Sequence, residues 1–130
     1  MAFFQGLKES FYITNCINEM KSLAPNLSHN AEFFCSDNKR SLLLFREQGT
    51  RPDVAVQLVC VNLLSGARNH LLNDKSYGAF QSVMDASHLA MCVLANWPNG
   101  GISELFKEAL ADFSAFTESE EAQRLLPKMR

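Results

Sequence analysis

The chain has 130 residues, of which 47% are apolar and 20% are charged. This length is enough for one domain and too short for two well-packed ones, so we expect a single globular domain over residues 1–130. Six glycines and four prolines are too few for a collagen-like or low-complexity disordered chain. Phenylalanine is unusually frequent, with 10 residues against one tryptophan and two tyrosines. The composition therefore predicts a hydrophobic core large enough for a stable fold, but it does not indicate a catalytic or binding function.

The charge distribution argues against nucleic-acid binding. The formal net charge is -2, and binding through phosphate contacts needs a concentrated basic surface. The nearest approach to one is Lys39, Arg40, Arg46 and Arg51, which Glu47 interrupts. We interpret these residues as solvated surface and predict no nucleic-acid partner.

The cysteines and the apolar runs suggest a cytoplasmic protein. Long, irregular gaps separate Cys16, Cys35, Cys60 and Cys92, and each lies among apolar residues, as is typical of reduced thiols in a core. The first residues carry no cationic lead of the kind found in secretion signals. No run approaches the ~18 apolar residues of a membrane span. We therefore expect cytoplasmic localisation and no membrane association.

In chain order, the first element is an amphipathic helix over residues 3–24, which Pro25 ends. Residues 26–49 are ambiguous. They keep helical phase and end at Gly49, a suitable C-cap, but 32–36 and 41–46 also fit two strands of a hairpin. A break within a helical segment, near residues 36–38, is a third interpretation.

The next segment, residues 51–73, raises the same question. Its valines favour a strand, whereas Pro52 fits a first helical turn and the apolar phase continues beyond the valines, which favours a helix. Residues 76–97 are predicted to be a helix that is apolar over more than half its circumference, as central helices are. Apolar residues at helical spacing over residues 102–116 predict another helix. A short last helix extends to Leu126.

These elements predict an all-α fold, a compact bundle of five or six helices with 76–97 as the central helix. The alternative is an α+β fold in which residues 32–62 form a small antiparallel sheet.

One polar strip on the 76–97 helix could carry chemistry. Asp85, His88 and Cys92 follow one another at steps of three and four residues, which places them on one side of a helix. Such groups can bind a metal or form a Cys–His pair, although a simple polar face explains them as well. His70, near the end of the 51–73 helix, is a further candidate ligand-binding residue. The sequence identifies no catalytic residue, and we predict no metal and no cofactor.

Apolar residues on two faces of the 51–73 and 76–97 helices exceed what a small bundle should need. This surplus predicts a non-catalytic binding or interaction protein that forms a homodimer, or binds another protein, through apolar helix faces. An alternative is a binder of small hydrophobic molecules, with a cavity lined by Phe and Met. The phenylalanines that could line it are Phe3, Phe4, Phe33, Phe34, Phe80, Phe106, Phe113 and Phe116. A second alternative is an enzyme or metal protein centred on Asp85, His88 and Cys92.

Overall fold

The computed structural model describes residues 2–73, 77–96 and 103–125. Within these ranges the chain forms seven α-helices, one turn of 3₁₀-helix at Pro25–Leu27, and no strand. The helices are α1 (Ala2–Leu23), α2 (Ser28–Asp37), α3 (Lys39–Glu47), α4 (Pro52–Asn73), α5 (Tyr77–Ala95), α6 (Ser103–Thr117) and α7 (Glu120–Leu125).

The all-α prediction is confirmed, and the alternative sheet over residues 32–62 is wrong because these residues lie in α2, α3, α4 and the turns between them. The break expected near residues 36–38 occurs at Asn38. Asn38 has φ -108° and ψ 18°, outside the helical region, which ends α2. Its side-chain amide donates to the Phe34 carbonyl together with its own backbone N–H. Two short helices therefore replace one, which brings the number of α-helices to seven instead of the predicted five or six.

Gly49 ends α3 as the sequence predicts. Its φ of 78° lies in the left-handed region, where glycine is favoured. The N–H of Gly49 donates to Arg46 O, and that of Thr50 donates to Phe45 O, which is the Schellman arrangement. This turn directs the Thr50 carbonyl toward α1, where it accepts a 2.8 Å hydrogen bond from the Tyr12 hydroxyl.

The most extensively packed helix is α4, which contacts α1, α3, α5 and α6. Its closest partner is α5, so the centre of the bundle is this pair of helices, and not 76–97 alone. Val56, Val59 and Val61 are buried in α4. Their β-propensity is outweighed because burial against several helices contributes far more than an intrinsic preference of a few tenths of a kcal/mol.

Aromatic side chains connect the last helices to this centre. Phe80 of α5 and Phe116 of α6 are fully buried, with ring centroids 6.2 Å apart. Phe113 lies 5.8 Å from Phe116 on the next turn. Pairs at such distances contribute ~0.5–1.5 kcal/mol beyond the area that they bury.

The apolar surplus predicted on 51–73 and 76–97 is buried or half-buried wherever the structure describes its large side chains. Within the described residues, no large apolar side chain of α4 or α5 is exposed, because neighbouring helices cover both faces. The exposed large apolar side chains belong to the first three helices instead: Phe4, Leu7, Phe11, Phe33 and Leu44.

Replacing Tyr12 by Phe should remove the hydrogen bond that ties α1 to the α3–α4 turn while keeping the buried ring. We expect the free energy of unfolding to fall by ~0.5–1.5 kcal/mol, the usual contribution of one such bond. Urea denaturation measures it. Thr14→Ala is the control, because the exposed Thr14 hydroxyl bonds only within its own helix, to Ser10 O. Equal stability of Tyr12→Phe and the wild type would contradict the assigned role of this bond.

Replacing Ser87 by Ala should increase the free energy of unfolding of the protein. Its side chain is fully buried in α5 and its hydroxyl has no hydrogen-bond partner. Removing a buried unsatisfied hydroxyl relieves a desolvation penalty of ~1 kcal/mol or more, and alanine also has the higher helix propensity. Thermal and urea unfolding should show that Ser87→Ala stabilises the protein more than Ser114→Ala does. Ser114→Ala is the control, because it changes only the helix propensity at an exposed position of α6. A smaller gain at position 87 than at 114 would show that the hydroxyl is satisfied.

Candidate functional site

The polar strip of α5, defined as Asp85, His88 and Cys92, lies mostly at the surface. Asp85 and His88 are exposed and Cys92 is partly buried. Across the described residues, no group of three or more His, Cys, Asp or Glu side chains is close enough to hold a metal ion. The side chain of His70, the fourth predicted residue, lies outside the described residues. Asp85 is the member of the strip that borders a cavity.

That cavity is a groove of about 390 Å³ between α2 and α5, which we call the α2–α5 groove. Its volume falls within the range of small-molecule sites, ~300–1,000 Å³. The lining residues recur once per helical turn, at positions 29/30, 33/34 and 37/38 on one side and 82, 85/86 and 89 on the other, so each helix contributes one face. The lining residues are His29, Asn30, Phe33, Phe34, Asp37, Asn38, Ser82, Asp85, Ala86 and Leu89.

The apolar part of the groove combines buried and exposed side chains. Phe34 and Leu89 are buried and belong to the core, so they give the groove a fixed base. Phe33 is 61% exposed and packs edge-to-face with His29, with ring centroids 5.1 Å apart and an interplanar angle of 82°. Two phenylalanines line this groove and no methionine does, and the Phe/Met-lined ligand cavity stays a prediction.

The charged part of the groove is acidic. Asp37 comes from α2 and Asp85 from α5, and neither forms an ion pair among the described residues. No lysine or arginine belongs to the lining. Lys39, which follows Asp37 along the chain, borders a different groove, between α1 and α2. The α2–α5 groove therefore offers two carboxylates beside an aromatic surface.

Asp85 is the one polar residue of this groove for which the sequence predicted a function. The other polar lining residues carried no functional prediction: His29, Asn30, Asp37, Asn38 and Ser82. The available signal was the spacing of His29, Phe33 and Asp37, four residues apart along one face of α2. It could not be used from sequence, because nothing local indicates that α5, about fifty residues further along the chain, packs beside that face.

A second surface lies on α1. Phe4, Leu7 and Phe11 are 57%, 44% and 62% exposed, and their spacing of three and four residues places them along one line of the helix. We call this line the α1 stripe. The opposite side of α1 carries Tyr12, Cys16 and Met20, which are buried.

The buried thiols are poorly suited to nucleophilic chemistry. Burial raises the pKa of Cys16 and of Cys35 to about 12 and that of Cys60 higher still, which disfavours the reactive thiolate. The sulfur of Cys35 lies 3.6 Å from that of Met20, inside the core. As the sequence predicts, these three cysteines act as apolar core residues.

Two surfaces thus have chemical interest, the α2–α5 groove and the α1 stripe. No protein-family model, curated protein or solved structure matches the chain. None of the described helices is long and apolar enough to cross a bilayer.

Thiol labelling checks the assignment of the cysteines. In the folded protein we expect one thiol, Cys92, to react with Ellman's reagent clearly faster than the other three, because it alone is partly exposed. Cys92→Ser should abolish the fast phase and leave three thiols that react only on unfolding. Concentrated guanidinium, in which all four should react at once, is the control. A fast phase that persists in Cys92→Ser would show that a core helix opens readily.

Proposed function

We propose that this chain is a non-catalytic interaction protein that forms a homodimer through the α1 stripe. The observation that carries the proposal is the exposure of three large apolar side chains along one line of a helix whose other side is already buried. Isolated exposed apolar residues are common on protein surfaces, whereas a contiguous row of them is typical of interaction sites.

The surroundings of the stripe favour a second copy of the same chain. Continuing along it in steps of three and four residues leads to Asn15, Asn18 and Ser22, all of which are exposed and uncharged. A symmetric dimer places the same surface on both partners, so like charges would face each other if the surface were charged. A neutral, apolar line avoids that repulsion and is complementary to itself.

The size of the stripe limits the strength of the proposed dimer. α1 has 22 residues and is therefore ~33 Å long, but the stripe occupies only its first half. A stable interface usually buries ~800 Å² on each partner, more than three side chains provide. We therefore expect dissociation constants that are roughly micromolar or weaker and a dimer that depends on concentration.

Sedimentation velocity over a range of concentrations tests this function. The wild-type mass should rise from 14.6 kDa toward twice that value as the concentration increases. Phe11→Ser should weaken association at least tenfold, since removal of a buried aromatic at an interface typically costs more than ~1.4 kcal/mol.

Phe33→Ser is the matched control, because Phe33 is 61% exposed against 62% for Phe11 but lies in the α2–α5 groove. We expect it to dimerise as the wild type does. Circular dichroism and a melting curve establish that both variants fold. A wild-type protein that stays monomeric at millimolar concentration, or equal losses in the two variants, would contradict the proposal.

A further inference from the structure

We propose that the α2–α5 groove is a binding site for a small organic cation with an apolar body, such as an aryl-alkyl ammonium. The site is separate from the α1 stripe and its function goes beyond self-association. Three features of the groove support this: its volume, its aromatic wall and its two carboxylates without basic partners.

The apolar body of such a ligand matches the base and wall of the groove. Phe34 and Leu89 are anchored in the core, so the base exists before a ligand arrives. Phe33 stands beside it with more than half its surface exposed. A cavity of about 390 Å³ accommodates a phenyl ring and a short alkyl chain, which would cover both surfaces and displace water from them.

The charged residues that line the groove indicate that its ligand is a cation. Asp37 and Asp85 line the groove from different helices, so its charged lining is acidic on both sides and favours an ammonium group. The face of an aromatic ring also attracts cations, and Phe33 is the exposed ring of the site. An anion of the same shape would meet two carboxylates and no lysine or arginine, so the groove should discriminate by charge.

Three compounds that share a phenyl ring test this selectivity. Phenethylamine is the cation, phenethyl alcohol is the neutral analogue and phenylacetate is the anion. Titration of the isotope-labelled full chain, followed by amide NMR, reports both affinity and location. Phenethylamine should bind with a roughly millimolar dissociation constant and shift amides of α2 and α5. The alcohol should bind at least threefold more weakly, and phenylacetate should give no saturable shifts.

Substitutions at the groove provide the second part of the test. Asp37→Asn combined with Asp85→Asn should weaken phenethylamine binding about fivefold or more and reduce the preference over the alcohol. Phe33→Ser should weaken all binding about two- to fivefold. Asp112→Asn, which changes an exposed carboxylate on α6, is the charge control and should bind as the wild type does.

The Phe11→Ser variant distinguishes the amine site from the proposed dimer interface, because this variant should lose self-association and still bind phenethylamine. Equal affinity for amine, alcohol and carboxylate, shifts that map away from α2 and α5, or full binding by the double Asp variant would each overturn the proposed site. The amide spectrum of each variant shows at the same time whether it is folded.

Discussion

The burial of α4 is the constraint on which the rest of the structure depends. Apolar residues occur around most of this helix, so it is stable only when neighbours cover more than one of its sides. α1, α3, α5 and α6 provide that cover, and Val56, Cys60 and Leu64 are almost entirely removed from solvent. Each neighbour must turn its own most suitable apolar side toward α4, and this requirement decides what each of them leaves at the surface.

The consequence is clearest for α1. Tyr12, Cys16 and Met20 recur every four residues and point inward, and the Tyr12 hydroxyl satisfies the carbonyl of Thr50 across the interface. A helix advances by about 100° per residue, so a residue such as Phe11 is directed well away from that inner side. The inner side of α1 packs against α4, α2 and α3, and Leu7 and Phe11 lie on the other side of the helix, where they are exposed. The exposure of Phe11 and Leu7 follows from the burial of α4.

The features of this fold that could be predicted from the sequence are those that depend on residues close together in the chain. Pro25 and Gly49 act on adjacent residues, and both ended helices where expected. Residues 28–47 stayed ambiguous because α2 and α3 are short and depend on packing more than on propensity. The apolar surplus was predicted on residues 51–73 and 76–97, whereas the exposed large apolar side chains of the described residues lie on α1, α2 and α3. The difference arises because the number of neighbours covering α4 and α5 is a tertiary property. Asp85 was recognised as a candidate, whereas the opposite wall of its groove comes from α2, which is distant in the sequence.

The neighbours of the α2–α5 groove indicate how firmly it is built. Lys21 of α1 and Glu32 of α2 form a 2.8 Å ion pair, which is exposed and contributes little energy. At the far end of α5, the Asn96 side-chain amide donates a 2.9 Å hydrogen bond to Leu23 O, where α1 ends. These contacts only orient the helices; burial of Phe34 and Leu89 determines the spacing of α2 and α5. The core therefore fixes the shape of the groove. The two helices are already in place before a ligand binds, so the protein would lose little conformational entropy on binding.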